Sequence, residues 1–241
     1  MEYKDEEKND IFSQDDNSPP PYLSPSTMTS LAPALSQLET SHVPKLILRN
    51  KIVVIGDACV GKSAICQMFH SGCQMYPKNY VMTCGVDFLV REIPIPETNA
   101  VCESYLYDCG GQSIFNQRQM AERLWENASY VMCVFDVSSR ESFQSCAKWV
   151  QQVRAVCPSN GGGQLPGILV ANKIDLREGG INSRAVVDSN EALHLAQQNN
   201  LEYFECSAFT GRDVEKPFNF LAMNFYNNYQ SMIKRASAQN Y

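Results

Sequence analysis

The 241-residue chain lacks any run of roughly 18 apolar residues, so nothing in it is expected to span a membrane. It lacks a basic excess as well. Twenty Lys and Arg stand against twenty-six Asp and Glu, which argues against a protein that holds nucleic acid through its phosphates. Residues 1–17 are acidic and polar where a secretory leader is basic and then apolar. There is no C-x-x-C pair among the ten cysteines, and no internal repeat. Unpaired spacings without a leader read as reduced thiols of a cytosolic-type compartment.

What the sequence does have is unevenly placed. Residues 1–45 carry eight acidic and three basic residues and half of the twelve prolines, but no cysteine. From Leu46 onward the balance is eighteen acidic to seventeen basic, so the net charge of −6 belongs mostly to the opening segment. That segment is too polar to offset the entropy of ordering it, and it is expected to be a disordered acidic, Pro-rich tail. Within it, Pro19-Pro20-Pro21-Tyr22 has the form of a polyproline ligand for a WW-type domain. The remaining residues suffice for one well-buried core, placed at 46–233 with a flexible end at 234–241.

The body alternates between two textures. Leu46–Leu48 with Lys51–Ile55, Val86–Ile95, Val101–Tyr107, Tyr130–Val137, Gly167–Ala171 and Tyr203–Cys206 read as strands. Ser63–His70, Glu141–Val156, Ser189–Gln198 and Asp213–Ile233 read as helices. Alternation of this kind predicts an α/β domain with a mostly parallel sheet. The turn at Pro96–Asn99 adds one antiparallel strand at an edge.

The chemistry falls in turns that follow strands. Gly56-Asp57-Ala58-Cys59-Val60-Gly61-Lys62-Ser63 matches G-x-x-x-x-G-K-S/T between a strand and a helix, which is the context of a phosphate-binding loop. Its glycines let backbone N–H groups point at phosphate oxygens, and the helix N-terminus adds positive potential. Lys62 then neutralises the β- and γ-phosphates, and Ser63 offers a hydroxyl to Mg²⁺. Asn172-Lys173-Ile174-Asp175 follows a later strand. A carboxylate there can accept from guanine N1–H and its 2-amino group, whereas adenine would leave it unpaired. Ser207-Ala208 leaves the next strand, where backbone N–H groups can face the guanine oxygen.

Together with Thr83 and Asp108-Cys109-Gly110-Gly111-Gln112, this set resembles the five guanine-nucleotide motifs of Ras-like small GTPases. The stretches Thr83–Phe88 and Phe135–Phe143 are similar to the Rab branch. The resemblance implies a Ras-like P-loop fold, a six-stranded sheet flanked by five helices, that binds GTP or GDP with Mg²⁺. Thr83 would bind Mg²⁺ and sense the γ-phosphate. Asp108 would hold the ion through water, Gly111 N–H would meet the γ-phosphate, and Gln112 would orient the attacking water.

Departures from the family pattern carry their own expectations. Cys109, Gly110 and Ser113 replace the usual Thr, Ala and Glu, and Ala58 stands where the faster relatives have glycine. Slow GTP hydrolysis is expected. Tyr107 replaces the Rab tryptophan before the Asp, which alters the usual effector surface. Cys59 and Cys109 lie in nucleotide-facing segments where oxidation would matter, while Cys66, Cys133, Cys146 and Cys206 read as small core residues. The last cysteine is Cys206, so no prenyl anchor is expected.

In the last helix Val214, Phe218, Leu221, Phe225 and Met232 form a core stripe, leaving Phe220, Met223 and Tyr226 as a contact surface for a partner. Pro94–Pro96, Leu124–Glu126, Phe143–Trp149, Leu165–Val170 and Arg184–Asp188 make the chain most similar to the Rab-like GTPase subunit of intraflagellar transport. That resemblance implies a small β-sandwich subunit and the B complex as partners, and a place in the cytoplasm and the cilium or flagellum. The alternative is a non-prenylated Rab-type switch in vesicle trafficking.

Overall fold

The computed structural model describes residues 46–111, 123–157, 163–178 and 183–238, all within one unit that starts at Pro44. The strands are β1 (Leu46–Ile55), β2 (Val86–Pro94), β3 (Ala100–Cys109), β4 (Tyr130–Asp136), β5 (Gly167–Asn172) and β6 (Glu202–Glu205). The helices are α1 (Lys62–His70), α2 (Arg140–Val156), α3 (Ser189–Gln198) and α4 (Glu215–Ala238). Helical residues 123–125 mark a fifth, and Ile174–Arg177 form a single 3₁₀ turn.

The sheet runs β2-β3-β1-β4-β5-β6. Every neighbouring pair is parallel except β2 with β3, so the expected antiparallel edge strand is where the hairpin puts it. All residues of β4 and β5 are buried. Strands covered on both faces need apolar residues at every position, which explains why these two read as continuous runs. On one face α1 and α4 cover Ile52, Val54, Leu106 and Met132. On the other, α2 and α3 cover Val53, Ile55, Val131 and Phe135. Phe218 of α4 stacks on Phe69 of α1 with ring centroids 3.8 Å apart.

The end of α4 departs from the expected pattern. Phe218 and Leu221 are buried, but Met232 is 68% exposed and does not continue the core stripe. The helix outruns the sheet beneath it, and residues 231–238 are all exposed. Phe220, Met223 and Tyr226 are half-buried against the core, with the Phe220 ring 5.2 Å from that of Phe204. Each keeps part of its side chain in solvent.

A parallel sheet gathers the turns after its strands at one end. There ligands bind in open α/β folds. Gly56 follows β1, Cys109 ends β3, Asp136 ends β4, Asn172 ends β5, and Cys206 follows β6. Segments up to 150 residues apart in sequence meet at this rim.

Candidate phosphate- and guanine-binding site

The loop after β1 is shaped by close approach. A Cβ on Gly56 (φ +134°) would lie 2.1 Å from the Val134 carbonyl oxygen, and one on Gly61 (φ +96°) 2.3 Å from Asn172 Nδ2. Only glycine fits at either point. Lys62 folds back under the loop, and its Nζ donates to the carbonyls of Gly56 (2.9 Å) and Asp57 (2.8 Å). Burial lowers the affinity of this ammonium for its proton, partly offset by the Asp108 charge. Asp57 is itself tied down, its Oδ1 accepting from Trp149 Nε1 of α2 at 2.6 Å. Above the loop lies a cavity of about 560 Å³, lined by Ala58, Lys62, Ser63, Tyr76, Thr83 and Gly111 among others.

Three oxygen donors from separate segments converge beside it. Ser63 Oγ and Thr83 Oγ1 are 2.9 Å apart, and Thr83 Oγ1 donates to Asp108 Oδ2 at 3.4 Å. Asp108 is only 1% exposed, and its Oδ1 has no partner among the described residues. Burial pushes this carboxyl up; Ser63, Lys62 and Thr83 pull it down, and Asp87 pushes it up again. A buried, unpartnered carboxylate oxygen next to two hydroxyls fits a hard divalent cation, which prefers oxygen ligands. No cluster of three or more His, Cys, Asp or Glu suited to a softer metal occurs among the described residues.

Gly111 packs directly on the phosphate loop, since a Cβ there would lie 2.3 Å from Ala58 N. Gln112 and Ser113 lie outside the described residues.

The second wall comes from the turns after β4, β5 and β6. Asn172 Nδ2 donates to the Val60 carbonyl at 2.9 Å, and its Oδ1 accepts from Ala208 N at 3.0 Å. Lys173, at φ +66°, sends Nζ to the Cys59 carbonyl at 2.9 Å and to Asp136 Oδ2 at 2.6 Å. Both side chains therefore brace the phosphate loop. Asp175 Oδ1 accepts from Ser207 Oγ, which sets the plane of the carboxylate. Ser207 and Ala208 are buried. Beyond them Phe209 meets Tyr76 edge to face, ring centroids 5.5 Å apart, and Tyr76 lines the cavity.

Sequence reading missed Trp149, Asp136, Tyr76 and Phe209. Asp136 and Trp149 had a signal, a lone acid at a strand end and an indole on a buried helix face. Tyr76 and Phe209 are exposed loop aromatics with none. The thiols divide as expected for Cys66, Cys133, Cys146 and Cys206, all buried. Cys109 differs from expectation. It too is buried, accepts from Trp125 Nε1 at 3.4 Å, and has its thiol pushed up to about 11 by burial, so it is shielded from oxidation. Cys59 alone of the pair is exposed.

Comparison with known proteins agrees with this layout. The model of the Ras family matches residues 51–227. An intraflagellar transport protein 27 homolog of Mus musculus is 38% identical over 186 residues, covering 77% of this chain and 95% of that protein. Intraflagellar transport protein 27 of Chlamydomonas reinhardtii is 37% identical over 187 residues, covering 77% and 88%. Ras-related protein Rab-1 of Theileria parva is 36% identical over 173 residues, covering 71% and 72%.

Proposed function

The chain belongs to the Ras family, and we propose that within it this protein is a Rab-like GTPase subunit of the intraflagellar transport B complex, acting in cargo transport along cilia or flagella. As a Ras-family protein it binds guanine nucleotide and acts as a GTPase. The transport reading draws on relatives named for intraflagellar transport, which align over 88–96% of their own length.

The convergence of Ser63, Thr83 and Asp108 beside Lys62 carries the nucleotide chemistry. Backbone N–H groups of residues 57–63 cradle the phosphates at the start of α1. Lys62 has three N–H donors, two engaged by the Gly56 and Asp57 carbonyls, which leaves the third for a phosphate oxygen. Ser63 and Thr83 would hold Mg²⁺ through their hydroxyls and Asp108 through water, and the ion would neutralise charge on the β- and γ-phosphates. Asp175, steadied by Ser207, accepts from guanine N1–H and the 2-amino group; the Ala208 N–H, held by Asn172 Oδ1, would reach the guanine oxygen only by sharing that hydrogen bond. Tyr76 supplies an aromatic wall for the base.

Hydrolysis is slow in this reading. Gly111 abuts the Ala58 backbone, and both line the cavity, so an alanine at 58 would leave less room there than the glycine of faster relatives. Single-turnover GTP hydrolysis checks this. A rate at or below that of Rab relatives is expected, and a faster one rejects it.

Phe220, Met223 and Tyr226, half in solvent on α4, are the surface we assign to the small β-sandwich subunit, with the protein in the cytoplasm and cilium. Affinity purification from ciliated cells tests the assignment: recovery with B-complex subunits supports it. Recovery with vesicle-trafficking factors instead would favour the second reading, a non-prenylated Rab-type switch, to which the similarity to Rab-1 proteins points.

A further inference from the structure

Directly across the β2–β3 ladder from Asp108 stands a second carboxylate, Asp87. Residues in register on antiparallel strands project from the same face and lie close together. Two acids in that relation repel each other and weaken the pairing unless a cation answers them. The other members of the ladder near this edge show which face is involved. Leu89 packs with the α1–α4 core, and the Arg91 guanidinium lies over the Phe69 ring of α1, so alternate residues of β2 face α1. Asp87 belongs to that set, and its charge is felt at Cys66 of α1 as well as at Asp108. Asp87 is exposed, whereas Asp108 is buried with Oδ1 unpartnered among the described residues.

We propose that Asp87 is an outer carboxylate of the divalent-cation site, a positioning residue that raises Mg²⁺ affinity through the field it adds to Asp108, Ser63 and Thr83. The inference rests on the assignment of Mg²⁺ to those three residues. Asp87 touches neither cation nor nucleotide in this scheme; it supplies long-range attraction through solvent. The same charge makes the cation-free site costly. Loss of the cation leaves the two carboxylates facing each other across β2 and β3, with Lys62 as the remaining countercharge to Asp108.

The test follows release of a fluorescent GDP analogue while free Mg²⁺ is titrated. For the wild-type chain, release slows as Mg²⁺ rises. Asp87→Asn is expected to move the midpoint about fivefold towards higher Mg²⁺, the effect of one added charge on a dication at water-like dielectric. Asp87→Glu keeps the midpoint within about twofold. Glu92→Gln removes the same charge from the same strand but faces Glu103 at the far end, and leaves the midpoint unchanged. Raising the salt shrinks the Asp87→Asn shift, because the interaction crosses solvent. Release in excess chelator is the same for all variants. An unchanged midpoint in Asp87→Asn, or a release rate altered equally in chelator, overturns the role of Asp87. A wild-type chain whose GDP release ignores Mg²⁺ would instead overturn the cation assignment beneath it.

Discussion

Asn172 is the residue on which the site's two walls depend. Its amide joins the Val60 carbonyl to the Ala208 N–H across more than a hundred residues of sequence. Asn172→Ala leaves both backbone groups without a partner in a buried place, at about 1–3 kcal/mol each. The expected result is lower stability in urea even without nucleotide, and faster GDP release. Asp108 behaves oppositely. Its carboxyl titrates above its ordinary value in the folded, cation-free protein, chiefly through burial. As pH rises past the ordinary value, the unfolded chain releases this proton first, so folding stability falls with rising pH through the raised value. Asp108→Asn should therefore stabilise the cation-free protein near pH 7 and not near pH 4, while abolishing its response to Mg²⁺. Urea unfolding at both pH values with and without Mg²⁺ checks this. Equal effects of the substitution at the two pH values would contradict it. The close-packed Gly56 and Gly61 and the folded-back Lys62 were legible because a loop of this kind demands those residue types at that spacing. The bracing role of Asn172 and the Trp149–Asp57 bond were not, because nothing local in the chain records which distant backbone a side chain will reach.

At the scale of elements, β1, β4 and β5 were plain from unbroken apolar runs, and the antiparallel β2 from a short turn between two such runs. The last helix was only half legible. Periodicity carries its apolar stripe on to Met232, but the sheet beneath it ends sooner, and a helical pattern holds no record of where its support stops. This divides α4 into parts with different expected sensitivities. Phe218→Ala removes a fully buried ring stacked on Phe69 and should cost about 3–5 kcal/mol. Met223→Gln and Tyr226→Ala, at half-exposed positions, should each cost about 1 kcal/mol, yet together release the β-sandwich subunit in co-expression and size-exclusion chromatography. Retention of that subunit by a folded double variant would move the interface elsewhere. Deleting residues 231–241 should leave the melting temperature of the GDP-loaded body nearly unchanged, since the described part of that stretch, 231–238, is exposed throughout.

For the whole molecule, the charge pattern and the fold divide the chain in the same region. The acidic excess lies before Leu46, where β1 begins, and the nearly neutral remainder builds a sheet whose strand ends bring Gly56, Cys109, Asp136, Asn172 and Cys206 to one rim. Composition made that division visible. It could not show the meeting of Ser63, Thr83 and Asp108, which depends on strand order and not on sequence distance. A GTP-binding body held in a transport assembly must keep both its nucleotide and its partner when isolated gently. Native mass spectrometry of the chain purified from ciliated or flagellated cells measures both at once. The expected spectrum carries one guanine nucleotide with Mg²⁺ per chain and a second small subunit of the B complex; a chain recovered alone, without nucleotide or with adenine nucleotide, would contradict it.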